Sequence, residues 1–185
     1  RKATMTRLST YMATKIGGGL VFIASSDVSN AATISFTGFD SSSYDSYLFT
    51  FSNYTPATDA AMMYTRLSVD GGSNYLSASD SYTVVASDGH GGGDSTFIPT
   101  GYHGVGNTAS YGGFNGEVKL YSPQLDFATA VDTTSFVSSK NNGVVTSQAS
   151  VGRTKVATVV NAVQFLFSSG NIASGTITMY GRVNS

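Results

Sequence analysis

The sequence predicts an all-β fold, a jelly-roll-like antiparallel β-sandwich behind a short N-terminal arm. Three observations carry that expectation. From residue 20 onward apolar side chains recur with a period of two, Gly, Asn and Asp clusters punctuate those segments, and no helical pattern interrupts the body.

The segments follow in order. Residues 1–16 differ from the rest: Met5, Leu8, Met12 and Ile16 fall three and four apart, the spacing of one short amphipathic helix. Such a helix is marginal alone and needs a partner to bury its stripe. Gly17-Gly18-Gly19 then separates the arm (1–18) from the sandwich domain (19–185). Leu20–Ala24 is a short apolar run. In Ala32–Thr37, Ile34 and Phe36 alternate with Ser35 and Thr37. In Asp45–Asn53, Tyr47, Phe49 and Phe51 alternate with Leu48, Thr50 and Ser52. In Met62–Val69, Met63 and Leu67 oppose Tyr64 and Arg66. Asp70-Gly71-Gly72 is a turn, because glycine adopts the positive φ that tight hairpins demand. Tyr82–Ser87 is a further strand.

Asp88–Gly116 breaks the rhythm: it holds 10 of the 21 glycines and Pro99, so it reads as a long loop with a short strand at Phe97–Ile98. Strands resume at Glu117–Tyr121, where Val118 and Leu120 share a face, and weakly at Ser135–Ser138. Asn141-Asn142-Gly143 is a turn. Val156–Ser168 is long and apolar. Gly175–Val183 closes the chain, with Ile177 and Met179 opposite Thr178, Tyr180 and Arg182. Eight or nine short strands of this kind argue for a sandwich or barrel, preferably a jelly roll of two four-stranded sheets.

Composition bounds the function. The 185 residues suffice for one well-buried domain. Charged residues are 11% of the chain, well under the usual quarter, so the surface is polar by hydroxyl and amide. The absence of Cys excludes thiolate nucleophiles, Cys-based zinc sites and iron–sulfur clusters. No apolar run approaches the roughly 20 residues of a membrane helix, and the N-terminus has no apolar stretch of the signal-peptide kind. Charge is unevenly placed. Arg1, Lys2, Arg7 and Lys15 give the first 26 residues +4, while the remainder carries 6 basic and 11 acidic residues. A basic arm on an acidic body is either a docking element or a solvated terminus. Basic residues do not interleave with aromatics on a strand face, so nucleic acid is not an expected partner.

Candidate chemistry was weighed residue by residue. Asp88, His90 and Asp94 share a glycine-rich stretch, which reads as a solvated loop rather than a metal site. The G-x-S-x-G elbow of Ser–His–Asp hydrolases is absent. Glu117 is the one glutamate, and Asp70, Asp80 and Asp88 occupy turns, so no facing carboxylate pair emerges. Gly89–Asp94 lacks the Lys-Ser/Thr ending of a phosphate loop. These readings leave no catalytic, cofactor or metal residue. Tyrosine is the residue with a second role: Tyr44, Tyr54, Tyr75, Tyr102 and Tyr111 fall in or near expected loops. Tyr102, His103 and Tyr111 in the glycine-rich region form the candidate ligand-contact loop.

Three segments together carry a resemblance. They are the opening GLVFIASSDVSNAATISFTGFDSSSYDSYLFTFSNYTPATDAAMMYTRLSVDGGSNY, the middle GVGN…NGEVKLYSP, and the closing TVVNAVQFLFSSGNIASGTITMYGRV. Their order resembles a family of virion structural proteins of tailed bacteriophages, the particle-surface and tail-fibre-like modules, over residues 19–183. The most specific piece is FSSGNIASGTI followed by Met179-Tyr180-Gly181. The resemblance implies a β-sandwich on the outside of a phage particle, commonly a homotrimer, with no enzyme activity and no agreed functional residues. Fibre proteins of this kind are much longer, whereas here the domain stands behind a short arm. The expectation is therefore a capsid decoration or cement protein whose partners are other virion proteins and whose Met5, Leu8, Met12 and Ile16 stripe docks on the shell. The alternative is a tail-fibre or receptor-binding module that recognises a host-surface glycan through Tyr102, His103 and Tyr111.

Overall fold

The structure, a computed structural model, describes residues 19–86, 93–139 and 144–183. The arm stripe Met5, Leu8, Met12 and Ile16 lies outside the described residues, as do Asp88, His90 and the Asn141-Asn142-Gly143 turn. Twelve strands cross the described residues: β1 (Leu20–Ala31), β2 (Thr33–Thr37), β3 (Tyr44–Pro56), β4 (Ala61–Ser68), β5 (Tyr82–Ala86), β6 (Gly93–Ser95), β7 (Ile98–Val105), β8 (Phe114–Tyr121), β9 (Ala130–Ser139), β10 (Val144–Thr154), β11 (Ala162–Phe167) and β12 (Ile172–Val183). The sole helical element among them is one 3-10 turn, Ala109–Tyr111.

Every strand pair is antiparallel, and the strands form two layers. The large sheet runs β1-β12-β3-β8-β9-β10-β5-β6 and the small one β2-β11-β4-β7. The ladder passes from one layer to the other at a single pair, Val105↔Ser139, where β7 meets β9. All-β sandwich is thus the architecture, but the sheets hold eight and four strands rather than four each.

Alternation decides which faces meet. Tyr47, Phe49 and Phe51 of β3 and Ile177 and Met179 of β12 turn inward from the large sheet. Phe36 of β2, Met63 and Leu67 of β4, and Val163 and Phe165 of β11 turn inward from the small one. The rings interlock across the gap: Phe165 lies 5.2 Å from Phe49 and 4.9 Å from Phe51, and Phe36 lies 5.4 Å from Phe49, in tilted or edge-to-face geometry. Such pairs add about 0.5–1.5 kcal/mol each beyond the area they bury.

The other half of the interior is of a different kind. Under β9 and β10 the inward residues include Thr133, Ser135, Gln148, Ser150 and Thr154. Some of them are bonded: the Ser150 hydroxyl donates to the Pro99 carbonyl, Gln148 Oε1 accepts the His103 N–H and Thr154 Oγ1 accepts the Thr129 N–H, whereas the Thr133 and Ser135 hydroxyls and the Gln148 amide nitrogen have no partner among the described residues. This chemistry hid two strands from a reading based on apolar alternation. Ser135–Ser138 belongs to the longer β9, and β10 was not foreseen at all.

Two further expectations are corrected. The described part of Asp88–Gly116 is largely strand, containing β6, β7 and the start of β8. Its glycines serve close approach: a Cβ on Gly104 would stand 2.5 Å from the Ala60 carbonyl oxygen. Pro99 is tolerated because β7 is irregular, its register against β4 shifting on either side of Met63. Conversely, the apolar stretch Val156–Ser168 is strand only over β11, and Val156 and Val159 are exposed.

Candidate functional site

The titratable groups with clear shifts all have structural explanations. Burial raises Tyr82 to about 12; its hydroxyl accepts the Leu67 N–H at 2.8 Å and donates to the Leu76 carbonyl at 3.1 Å, pinning the segment after β4. Burial likewise raises Tyr54, which was expected in a loop and is instead fully enclosed, stacked on Phe167 at 5.4 Å. Asp70 is lowered to about 2 by the Asn74 side-chain amide and N–H and by the Ser68 hydroxyl, the bonds of a tight turn. Asp40 is lowered in the same way, chiefly by the Ser42 hydroxyl. Among the described residues no three His, Asp or Glu side chains converge as a metal-binding group.

Tyr102 and His103 lie on β7 rather than in a loop, and Tyr111 sits in the 3-10 turn. Tyr102 and His103 are neighbours, their rings 6.0 Å apart and edge-to-face, and the His103 N–H donates to Gln148 Oε1 at 3.2 Å. Tyr111 is exposed, and its carbonyl accepts the Ser138 hydroxyl on β9. Its ring makes no contact with the other two. All three side chains are exposed.

A better-formed feature lies on the outer face of the large sheet. The pairing registers place Leu20, Arg182, Ser46 and Tyr121 in one row across β1, β12, β3 and β8. Phe22, Tyr180, Leu48, Lys119 and Asp132 form the next row. Ser46 is the small residue in a ring of large ones, so the surface dips there. The depression measures about 250 Å³ and is lined by Leu20, Ser46, Tyr47, Leu48, Lys119, Tyr121 and Arg182. Phe22, 60% exposed, leans edge-on to Tyr180 at 6.2 Å along one border. A second hollow of about 220 Å³ adjoins it, lined by Ser41, Tyr44, Asp45, Ser122, Gln124 and Leu125.

The charges in the first depression are unequal. Lys119 Nζ is 3.5 Å from Glu117 Oε2 and faces Asp132 across the ladder, so its charge is locally offset. Asp45 at the rim accepts the Ser46 hydroxyl at 2.9 Å. Arg182 is exposed and has no ion-pair partner among the described residues. No short motif announces this grouping, because its members come from positions 20 to 182 and meet only through strand pairing. The legible signal was the polar face of the last strand, which already set Tyr180 beside Arg182.

The outer face and sheet ends also expose large apolar side chains. Phe136 and Val145 lie close together on β9 and β10, with Val145 63% exposed, and Leu125 and Phe127 project from the segment after β8. Comparisons of the chain with known protein families, with curated proteins and with solved structures find no match.

Proposed function

We propose that the chain is a non-enzymatic structural protein of a tailed-phage virion, a capsid decoration or cement protein that acts as a homotrimer on the particle surface. The observation that carries this reading is the strand order. Counting along the chain, β1, β3, β8 and β12 fall in one layer, and β2, β4, β7 and β11 in the other. The facing orders β1-β12-β3-β8 and β2-β11-β4-β7 support a jelly-roll reading, with β9, β10, β5 and β6 extending one sheet. Jelly rolls recur in viral capsid and lectin domains. Fold alone does not assign function, so the resemblance of residues 19–183 to phage particle-surface modules supplies the rest.

Self-association has its own support. Phe22, Phe136, Val145 and Phe127 leave apolar surface in groups rather than singly, which marks interaction surface on a low-charge protein. In a closed trimer each such patch would meet a different patch on the next copy. The basic arm, bearing Met5, Leu8, Met12 and Ile16, supplies the docking element toward the acidic surface of a shell. The test is to delete residues 1–16 and measure attachment to particles. Loss of attachment with the sandwich still folded is expected; undiminished attachment refutes the docking role. Light scattering or sedimentation of the full chain tests the trimer, and a concentration-independent monomer refutes it.

A further inference from the structure

We propose that the depression around Ser46 binds a carboxylated sugar, with the carboxylate on Arg182 and the ring lying across Leu20, Leu48 and Tyr121. This goes beyond the structural role above and does not depend on it.

The shape comes first. About 250 Å³ is below the roughly 300–1,000 Å³ of sites for drug-sized ligands, and suits a single ring entering from an open face. The floor and walls combine two aliphatic side chains and a tyrosine ring with hydroxyls at Ser46 and Tyr121. That pairing of apolar faces with polar tips matches a pyranose, whose C–H faces are apolar and whose rim is hydroxyl. Ser46 donates its proton to Asp45, so its remaining lone pair is free to accept from a sugar hydroxyl.

Charge then selects the sugar. Lys119 is engaged by Glu117, which leaves Arg182 as the cation of the depression without an ion-pair partner among the described residues. A guanidinium presents paired N–H donors that fit a carboxylate two-to-two, a geometry that a lysine ammonium lacks. A cation with no partner among the described residues suits a ligand with one negative charge. A dense polyanion would meet the acidic residues of the body, where residues 27–185 carry 6 basic and 11 acidic side chains.

The experiment is titration of the full chain at low ionic strength with 3′-sialyllactose, a glucuronate oligosaccharide, lactose and sodium sulfate. Arg182→Gln and Arg182→Lys are run alongside the parent, followed by calorimetry and saturation-transfer NMR. Saturable binding of at least one carboxylated sugar is expected, with lactose and sulfate at least about tenfold weaker. Arg182→Gln should lose about tenfold or more, the worth of a charged hydrogen-bonded contact, and Arg182→Lys should fall between. Arg182 is exposed, so both variants keep the parent's circular dichroism and melting temperature. Equal binding of lactose, competition by sulfate at equal strength, an unchanged Arg182→Gln variant, or no binding of either carboxylated sugar overturns the proposal. None of these outcomes bears on particle attachment by the arm, so the two readings fail separately.

Discussion

Replacing Phe165 with alanine removes the side chain on which the two layers meet. Phe165 is fully buried on β11 and its ring touches three others: Phe51 at 4.9 Å, Phe49 at 5.2 Å and Phe36 at 6.4 Å. Deleting a buried phenylalanine side chain costs about 3–5 kcal/mol, through lost transfer energy plus the cavity left behind. Here the neighbours are rings held by strands of both sheets, so the site cannot collapse cheaply. Losing three ring pairs places the expected cost at the upper end, about 4–5 kcal/mol. At about 2–4 °C per kcal/mol for a chain of this size, the melting temperature falls by roughly 8–20 °C. The assay is urea unfolding with thermal melts at one fixed protein concentration, because self-association makes stability concentration-dependent. Val156→Ala is the control: Val156 is 55% exposed and lies in none of the proposed interaction patches, so its loss is expected to stay within about 0.5 kcal/mol. If Phe165→Ala costs within about 1 kcal/mol of the control, the two layers do not pack through this ring, and the core described above is wrong.

Gly116→Ala is expected to destabilise by about 1–3 kcal/mol, read by the same denaturant titration. The added Cβ would stand 2.5 Å from the Thr134 carbonyl oxygen and 2.7 Å from Ser135 Cα, so β8 and β9 would have to move apart. Alkaline pH tests Tyr82. Its folded pKa is raised from 10.0 to about 12, so the folded state holds this proton more tightly. The associated stability is intact below about pH 10 and is lost as pH rises toward 12. Tyrosinate absorbance from the buried rings should therefore appear together with unfolding, and its full development in a protein with native near-ultraviolet circular dichroism would contradict the burial. Tyr82→Phe leaves the Leu67 N–H without its acceptor and should cost about 1–3 kcal/mol at neutral pH, seen as a lower urea midpoint.

Sequence alone determined the all-β class and the inward faces of β3, β8, β11 and β12. Val118 and Ile177 alternate with charged or hydroxyl residues, Phe49 and Phe165 recur at every second position with Phe51 and Phe167, and a period of two leaves one way to bury them. The turn at Asp70 was legible for a similar reason, since side-chain capping of a turn is local. The sequence shows only the Ser135–Ser138 end of β9 and none of β10, because Thr133, Ser135, Gln148 and Ser150 occupy buried positions that a hydrophobic pattern assigns to solvent. The Ser150 hydroxyl finds its acceptor at Pro99, 51 residues away, and Gln148 Oε1 its donor at the His103 N–H, partners that only folding brings near. Beyond Ile98, β7 is hidden because Pro99, Gly101 and Gly104 resemble loop punctuation, while Gly104 lets the strand pass close to the Ala60 backbone. The division into eight and four strands, the placing of Tyr102 and His103 on a strand and Tyr111 in a 3-10 turn, and the gathering of Leu20, Ser46, Tyr121 and Arg182 were decided by the tertiary structure. Strand pairing joins residues more than a hundred positions apart, and the free energy that chooses among pairings belongs to the closed sandwich rather than to any segment of it.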